Sequence, residues 1–401
     1  MLLCVPHGRV AYRRLPNRHD MTAPHLLVDI SAHGLGHLAQ TAPVLAGLRQ
    51  RYPTMRLTVQ SALPRERLAR RIAEPFEHIQ AASDFGFVMH NAVDIDYAAS
   101  AVRYAAEHHD WPQRVAKAAD ALCRIKPDLI FANAAYLPLA AAAKVGLPAI
   151  GMCSLNWADL FSHAFADEID TNEDLVIRVH REIIDAYNAA RVFLRVTPGL
   201  PMGSLRNRRD IGPIAQLAPN LTSAPDYRRQ ERMKLAQLLG LNPDQRWLLI
   251  AMGGMDFRLP LENWPLIRDT QLLCPLAWAV DRPDTRAFDP PGTHLPFTDL
   301  LALVDAVLTK PGYGTFVEAA CNGVPLLYVP RDDWPEEEHL VAWMHQNARC
   351  AAVERSALFV GDIGECLDRL LGSAPPSCLP LPSGISDAVD MISGFFAGHF
   401  C

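Results

Sequence analysis

His25-Leu26-Leu27-Val28-Asp29-Ile30 runs directly into Ser31-Ala32-His33-Gly34-Leu35-Gly36-His37, and residues 38–50 follow with the apolar spacing of an amphipathic helix. A short apolar run, a glycine turn and a helix make the opening unit of a parallel sheet, whose strands are buried on both faces and so read as continuous apolar runs. The same order recurs along the chain. Residues 55–60 (MRLTVQ) read as the next strand and 64–72 as a helix. The stretch 111–125 has a helical period, 128–132 (DLIFA) is a short buried strand, 134–145 is an alanine-rich helix ending at Gly146, and 149–153 starts another strand. Further on, 247–252 (WLLIAM) reads as a strand ending at Gly253-Gly254, 306–309 as another, 315–322 as a helix and 324–329 as a further strand. Strands alternating with helices predict βαβ units covered on both faces.

The alternation lapses between about 197 and 227, where Pro198, Pro201, Pro213, Pro219 and Pro225 fall among Gly199, Gly203 and Gly212. Such a stretch marks a connector. The expectation is therefore an α/β chain of two doubly wound lobes facing each other across a cleft: an N-terminal lobe over 21–200, a connector over 201–228 and a C-terminal lobe over 229–385. Residues 386–401 read as a C-terminal helix, with a return to the N-terminal lobe left open. Residues 1–20 carry Arg9, Arg13, Arg14 and Arg18 without a steady period, and their apolar stretch precedes the charges, unlike a signal peptide. Met21 directly precedes the first strand, so 1–20 is expected to be an extension or a misassigned start.

The length of 401 residues suits two or three domains of ordinary size, and 50% hydrophobic with 20% charged residues is globular composition. The net charge is −6 and neither half has a strong basic excess, which argues against general nucleic-acid binding. Lys117, Lys126, Lys144, Lys234 and Lys310 are the only lysines. The nine cysteines include no C-x-x-C pair, and several, such as Cys123 and Cys321, have apolar neighbours. Reduced, mostly buried thiols in a cytoplasmic protein are expected. No uninterrupted apolar run reaches the roughly 18 residues that span a bilayer, and peripheral membrane association stays open.

Two glycine turns carry the chemistry. In the first, Gly34 and Gly36 let the backbone bend and let a ligand approach, and the helix that follows aims its N-terminal amides into the turn. His33 and His37 have the i, i+4 spacing of a helical metal pair, but glycines lie between them and no third ligand is in view, so no metal is assigned. A neutral histidine at a helix N-terminus can take a proton from a hydroxyl; alternatively it only hydrogen-bonds the turn. The second turn is Lys310-Pro311-Gly312-Tyr313-Gly314-Thr315-Phe316-Val317-Glu318. Amides at Gly314 and Thr315 suit a diphosphate, and Glu318 suits ribose hydroxyls or a capping box with Thr315. Neither turn is G-x-x-x-x-G-K-[ST] or G-x-G-x-x-G, which argues against Walker-type ATP hydrolysis and a dinucleotide oxidoreductase.

The His33–His37 turn resembles that of nucleotide-sugar glycosyltransferases of the two-lobed GT-B type. The second turn through Glu318, with Gly323-Val324-Pro325 and Pro330, resembles their donor-binding signature. The likeness is greatest to the glycosyltransferase-like N-terminal region of plant L-arabinokinases, over most of residues 25 to 395. Asp84-Phe85-Gly86, Asn156-Trp157-Ala158-Asp159, Leu200-Pro201-Met202 and Arg331-Asp332 with Glu336-Glu337 fall where that region has similar residues. The kinase domain of those proteins has no counterpart in these residues, so kinase activity is not carried over. The resemblance implies two Rossmann-like lobes, an NDP-sugar substrate, and no required cofactor or metal. It implies His37 as general base, with Gly34, Gly36, Asn133, Asn156 and Trp157 on the acceptor side. It further implies Gly253 and Gly254 at the donor phosphates; Phe297, Asp299 and Leu300 at the base; Gly312, Tyr313, Gly314 and Thr315 at the diphosphate; Glu318 at the ribose; and Glu336 or Glu337 at the sugar hydroxyls.

One position departs from that pattern. Many inverting relatives orient the histidine with an aspartate where this chain has Asn133. Either Asp159 or Asp84 supplies the carboxylate, or His37 is not a strong base. The acidic run Asp332, Asp333, Glu336, Glu337 and Glu338 reads alternatively as a solvated loop. The arginines at 206, 208, 209, 228, 229 and 232 read as hinge solvation or as a site for an anionic acceptor. Trp157 and Trp334 suit stacking on sugars or core packing. The leading expectation is an inverting transfer from a UDP-sugar to an acceptor hydroxyl. The alternatives are a non-catalytic nucleotide-sugar binder or sensor, and a nucleotide-sugar epimerase.

Overall fold

The computed structural model describes residues 23–398 except 167–168, 255–256, 290–294 and 332. The expected extension over 1–20, and Asp332 of the acidic run, lie outside the described residues. The first lobe is built on β1 (His25–Ile30), β2 (Arg56–Gln60), β3 (Glu77–Ile79), β4 (Leu129–Asn133), β5 (Ala149–Cys153), β6 (Val192–Val196) and β7 (Arg208–Ile211). These form one parallel sheet in the order β3-β2-β1-β4-β5-β6-β7. The second lobe uses β8 (Arg246–Ile250), β9 (Thr270–Cys274), β10 (Thr285–Ala287), β11 (Ala306–Thr309), β12 (Leu326–Tyr328) and β13 (Cys350–Ala352). Their order is β10-β9-β8-β11-β12-β13, again all parallel. Both sheets therefore reverse their winding between their first and fourth strands, the switch point of a doubly wound fold.

Continuous burial explains why the central strands were readable. Every residue of β1, β4, β5 and β11 is buried, and so is every residue of β9, which was not read as a strand. The connector is where expectation and structure part. Residues 208–211, inside the stretch read as connector, form β7 and pair with β6, with Val196 opposite Ile211. Their arginines lie on an exposed edge strand, which carries no apolar signature. Past β7 only 212–218 lack an element before α8 (Pro219–Ser223) and α9 (Pro225–Leu239). The helix expected over 64–72 shortens to α2 (Arg65–Ala69). Near the chain's end, α15 (Gly384–Phe396) comes back to the first lobe: Asp390 pairs with Arg51 at 2.6 Å, and the Gly384 amide donates to the Pro213 carbonyl.

The described cysteines are all free. Cys153, Cys274 and Cys321 are buried, but Cys123 is exposed, against expectation. Its neighbour Leu122 faces the core from α4 (Trp111–Ile125), and one residue further turns outward by the 100° step of a helix. Two of the three arginines of α9 are structural. Arg228 and Arg232 donate to the carbonyls of Ala302, Leu303 and Val304, at the end of α10 (Phe297–Leu303), and Arg232 also pairs with Asp305 at 2.9 Å. No helix among the described residues is long and apolar enough to cross a membrane.

Candidate active site

The C-terminal ends of the two sheets meet. After β1 the chain turns at Gly34 (φ +89°) into α1 (Gly36–Arg51), and after β11 it turns into α11 (Tyr313–Cys321). The two bends touch: a Cβ placed on Gly314 would lie 3.0 Å from Ala39 Cβ, and one on Gly254 would lie 2.9 Å from Leu35 Cγ. A side chain at either glycine would force its neighbour to shift. Neither α1 nor α11 has a side-chain cap, so the first-turn amides of two facing helices are without intrahelical acceptors. Thr315 lies inside α11 with Gly312 as N-cap, so the capping box between Thr315 and Glu318 is not formed.

His37 occupies the first turn of α1 and is buried. Its Nδ1 lies 2.8 Å from Oδ1 of Asn133, the last residue of β4, which stands opposite Ile30 across the switch point. The bond leads into a buried chain. Asn133 Nδ2 donates to Gln40 Oε1 (3.1 Å), Gln40 Nε2 donates to Ser154 Oγ (2.8 Å), and Ser154 donates to Glu336 Oε1 of the second lobe (2.6 Å). Burial lowers the His37 pKa to about 4, with the Asn133 hydrogen bond pulling the other way, so the imidazole is neutral at pH 7.

No carboxylate replaces the missing aspartate. Asp159 accepts from the Asn156 amide (2.8 Å) and from Ser204 (2.7 Å), while Asn156 Oδ1 caps α6 (Trp157–Ala164). Both are committed to that helix start. Asp84 accepts from Trp157 Nε1 (2.5 Å), and burial raises its pKa to about 6. Trp157 is wholly buried, packed edge-on to His33 and His37. His33 is held neutral by burial and stacks on Trp334 at 6.0 Å between centroids; its Nε2 has no partner among the described residues. Trp334 comes from the second lobe but packs in the core of the first. Its neighbour Asp333 binds Tyr97 and His163, at 2.6 Å for the histidine. Within the acidic run, Asp333 and Glu336 thus make interlobe contacts.

Cations gather on the second lobe. Lys310 directly follows β11, and its Cε would lie 3.3 Å from a Cβ on Gly253 (φ +94°), with Nζ 3.9 Å from one on Gly312. Its ammonium therefore sits between both glycine turns of this lobe, across its switch point. Burial, then repulsion from Arg331, lowers the Lys310 pKa to about 7. Arg331 lies over the Trp334 ring at 4.3 Å, and its buried Nε has no partner among the described residues.

The remaining donor-side residues are placed less uniformly. Tyr313 is buried; its hydroxyl donates to the Thr197 carbonyl and accepts from the Ile214 amide, which ties α11 to the connector. Its side chain is committed to that tie. Glu318, 1% exposed, is gripped bidentately by Arg71 of the first lobe (3.0 Å for Nη2 to Oε2). The Arg71 guanidinium also lies 5.8 Å from the Phe297 ring, which opens α10; Asp299 is in the same turn and Leu300 is core. Glu336 is buried in the hydrogen-bonded chain, and Glu337 accepts from the Arg331 amide. Among the described residues no group of three His, Cys, Asp or Glu is placed to hold a metal ion.

Two parallel doubly wound lobes meeting at their strand ends constitute the GT-B fold of glycosyltransferases. The chain superposes on CalG4, the calicheamicin glycosyltransferase, with a TM-score of 0.57 at 16% identity, over 94% of this chain and 99% of that one. The kitacinnamycin glycotransferase gives 0.57 at 15% identity, over 93% and 99%. A UDP-glucosyltransferase from Polygonum tinctorium gives 0.53 at 14%, over 94% and 99%. In sequence, the chain is 21% identical over 350 residues to the L-arabinokinase of Arabidopsis thaliana, covering 86% of this chain and 32% of that protein. It thus spans about a third of that relative's length. No protein-family profile matches.

Gln40, Ser154 and Arg71 escaped the sequence reading, while Lys310 and Arg331 were quoted in motifs without a role of their own. Gln40 had a local signal, a polar residue one turn after His37 on a helix face that is otherwise apolar. Lys310 had another, one of five lysines and placed at a strand end before a glycine turn. Ser154 and Arg71 had none, because their partners are distant in sequence.

Proposed function

We propose that this protein transfers a sugar from a nucleoside diphosphate, with UDP as the nucleotide, to an acceptor hydroxyl with inversion at the anomeric carbon. The observation that carries this reading is the pairing, at adjoining switch points, of a neutral histidine with a cationic glycine cradle. His37 gives its Nδ1 to Asn133 and keeps Nε2 without a partner among the described residues. Nε2 takes the proton of the acceptor hydroxyl, whose oxygen attacks the anomeric carbon as the bond to the diphosphate breaks. Lys310, Arg331 and the uncapped ends of α1 and α11 take up the negative charge of the departing UDP, a task that preorganised donors perform without a metal. Phe297 and Asp299 border the uracil. Glu318 receives the ribose once Arg71 yields it, which requires the lobes to part and reclose.

A second reading, a nucleotide-sugar binder without turnover, draws support from Asn133 and from Trp334 packed on His33. Calorimetry with UDP and UDP-sugars, followed by a transfer assay over an acceptor panel, separates the two. Binding with transfer supports the enzyme, and binding with no turnover supports the binder. Product formed without any acceptor would point instead to epimerisation, and no affinity for any nucleotide sugar removes all three.

A further inference from the structure

We propose that Glu336 is a positioning residue for His37: acting through Ser154, Gln40 and Asn133, its carboxylate fixes the direction of every hydrogen bond in the buried chain and thereby the tautomer of the imidazole. The catalytic consequence rests on the reading of His37 as base; the tautomer itself does not.

Every member of this chain is nearly or fully buried: Asn133 0%, Gln40 1%, Ser154 1%, Glu336 4% and His37 5% exposed. A hydroxyl and two carboxamides can each donate in either direction. Taken alone, Ser154, Gln40 and Asn133 would make the same number of hydrogen bonds with all of them reversed. In the reversed chain Asn133 would donate to Nδ1, the ring proton would sit on Nε2, and His37 would present a donor to the acceptor hydroxyl instead of a lone pair.

A carboxylate breaks the tie because it only accepts. Glu336 Oε2 faces the Trp334 indole N–H at 3.3 Å, a group that only donates; burial raises the pKa of the carboxyl, while the hydrogen bonds from Ser154 and Trp334 and then the charges of Arg331 and Lys310 favour the ionised form. From there each step is forced. Ser154 donates to Glu336, so its oxygen accepts from Gln40 Nε2. Gln40 then turns Oε1 to Asn133 Nδ2, and Asn133 turns Oδ1 to His37, whose proton then sits on Nδ1, with the Cys153 thiol also 3.6 Å from that nitrogen. Four residues of the chain belong to the first lobe and Glu336 to the second. The polarity is therefore imposed only while the lobes are in contact, which couples closure to the readiness of the base.

The test is long-range 1H–15N NMR on protein labelled at histidine, in which protonated and unprotonated ring nitrogens resolve. Wild type should show His37 protonated at Nδ1 and bare at Nε2. Glu336→Gln restores the ambiguity and should give a mixture of tautomers. kcat should fall by between about twofold, for equal polarities, and about 10⁴-fold, if the wrong tautomer dominates. Ser154→Ala cuts the chain at another link and should give the same mixture, which keeps the test decisive if Glu336→Gln folds poorly. Adding Glu336→Gln to Asn133→Asp should leave the tautomer unchanged, since the introduced carboxylate fixes the Nδ1 proton directly. A wild-type tautomer in both Glu336→Gln and Ser154→Ala overturns the proposal, as does a lower kcat with the His37 spectrum unmoved. If His37→Ala retained turnover, the base reading would fall, and the spectra would still decide the relay.

Discussion

The two lobes share a strand order, 3-2-1-4-5-6 counted within each sheet, and place their working residues at the same topological position. In the first lobe His37 follows the first strand and Asn133 ends the fourth. In the second, Gly253 follows the first strand and Lys310 leads out of the fourth. The contents differ. The first crevice is neutral, with an uncharged imidazole held by amides and a hydroxyl. The second is cationic, with Lys310 and Arg331 beside two glycine turns. One sheet topology thus supplies two crevices, and under the proposed function their side chains suit one to a proton and the other to an anion.

The sharpest way to break this division is to empty the neutral crevice. His37→Ala should lower kcat by about 10²–10⁴-fold, the usual worth of a general base, while UDP affinity by calorimetry stays within about twofold. A parallel loss of UDP affinity would mean that the crevices do not divide the work. Next in size is the ion pair that bridges them. Arg71→Met leaves the Glu318 carboxylate buried without its cation, a change that costs about 3–5 kcal/mol, to be read as a lowered thermal midpoint. Arg71→Met with Glu318→Gln should recover much of that loss, because no unpaired charge remains.

In the cationic crevice, Lys310→Met should weaken UDP binding by about 10–100-fold, from hydrogen bonds to a charged group worth about 1.5–3 kcal/mol. The same residue gives a pH signature. With a pKa near 7, Lys310 is charged below that pH and neutral above it, so UDP affinity should fall as pH rises through about 7. Arginine stays charged throughout, so Lys310→Arg should abolish this limb even if its geometry costs affinity. An unchanged limb would move the titration to another group.

How much of this was legible follows from where each signal resides. β1, β5 and β11 were readable to the residue because burial on both faces leaves unbroken apolar runs, and the glycine turns announced the bends. β7 was not, because an exposed edge strand of Arg208, Arg209 and Asp210 looks like a linker. His37 and Asn133 could be named as a departure from a pattern, but the answer to that departure could not. Asp159 and Asp84 were plausible by charge alone, and the fold commits one to a helix start and the other to an indole. Glu336 likewise read either as a sugar ligand, from the resemblance, or as part of a solvated acidic loop. Its burial depends on Trp334 inserting into the opposite lobe, a contact between distant parts of the chain that leaves no local periodicity.

The smallest predicted effect probes why the first crevice is free of charge. Asn133→Asp places a carboxylate 2.8 Å from Nδ1, where the wild type has an amide oxygen. An opposite charge at that range stabilises the imidazolium and should raise the His37 pKa by about 1–3 units from about 4. The unprotonated base exists above its pKa, so the acid limb of kcat/KM should move up in pH by the same amount, and His37 should become the stronger base at neutral pH. The gain is opposed within the chain. The new carboxylate cannot donate to Gln40 Oε1, so Gln40 must turn its amide N–H toward that carboxylate and its carbonyl toward Ser154. Ser154 then has one proton for two acceptors, Gln40 and Glu336, and loses one hydrogen bond worth about 1 kcal/mol. A shifted limb with a slightly lower thermal midpoint is the expected pairing. A limb that stays in place would show that the group titrating in catalysis is not His37, and with it would go the contrast between a neutral lobe and a charged one.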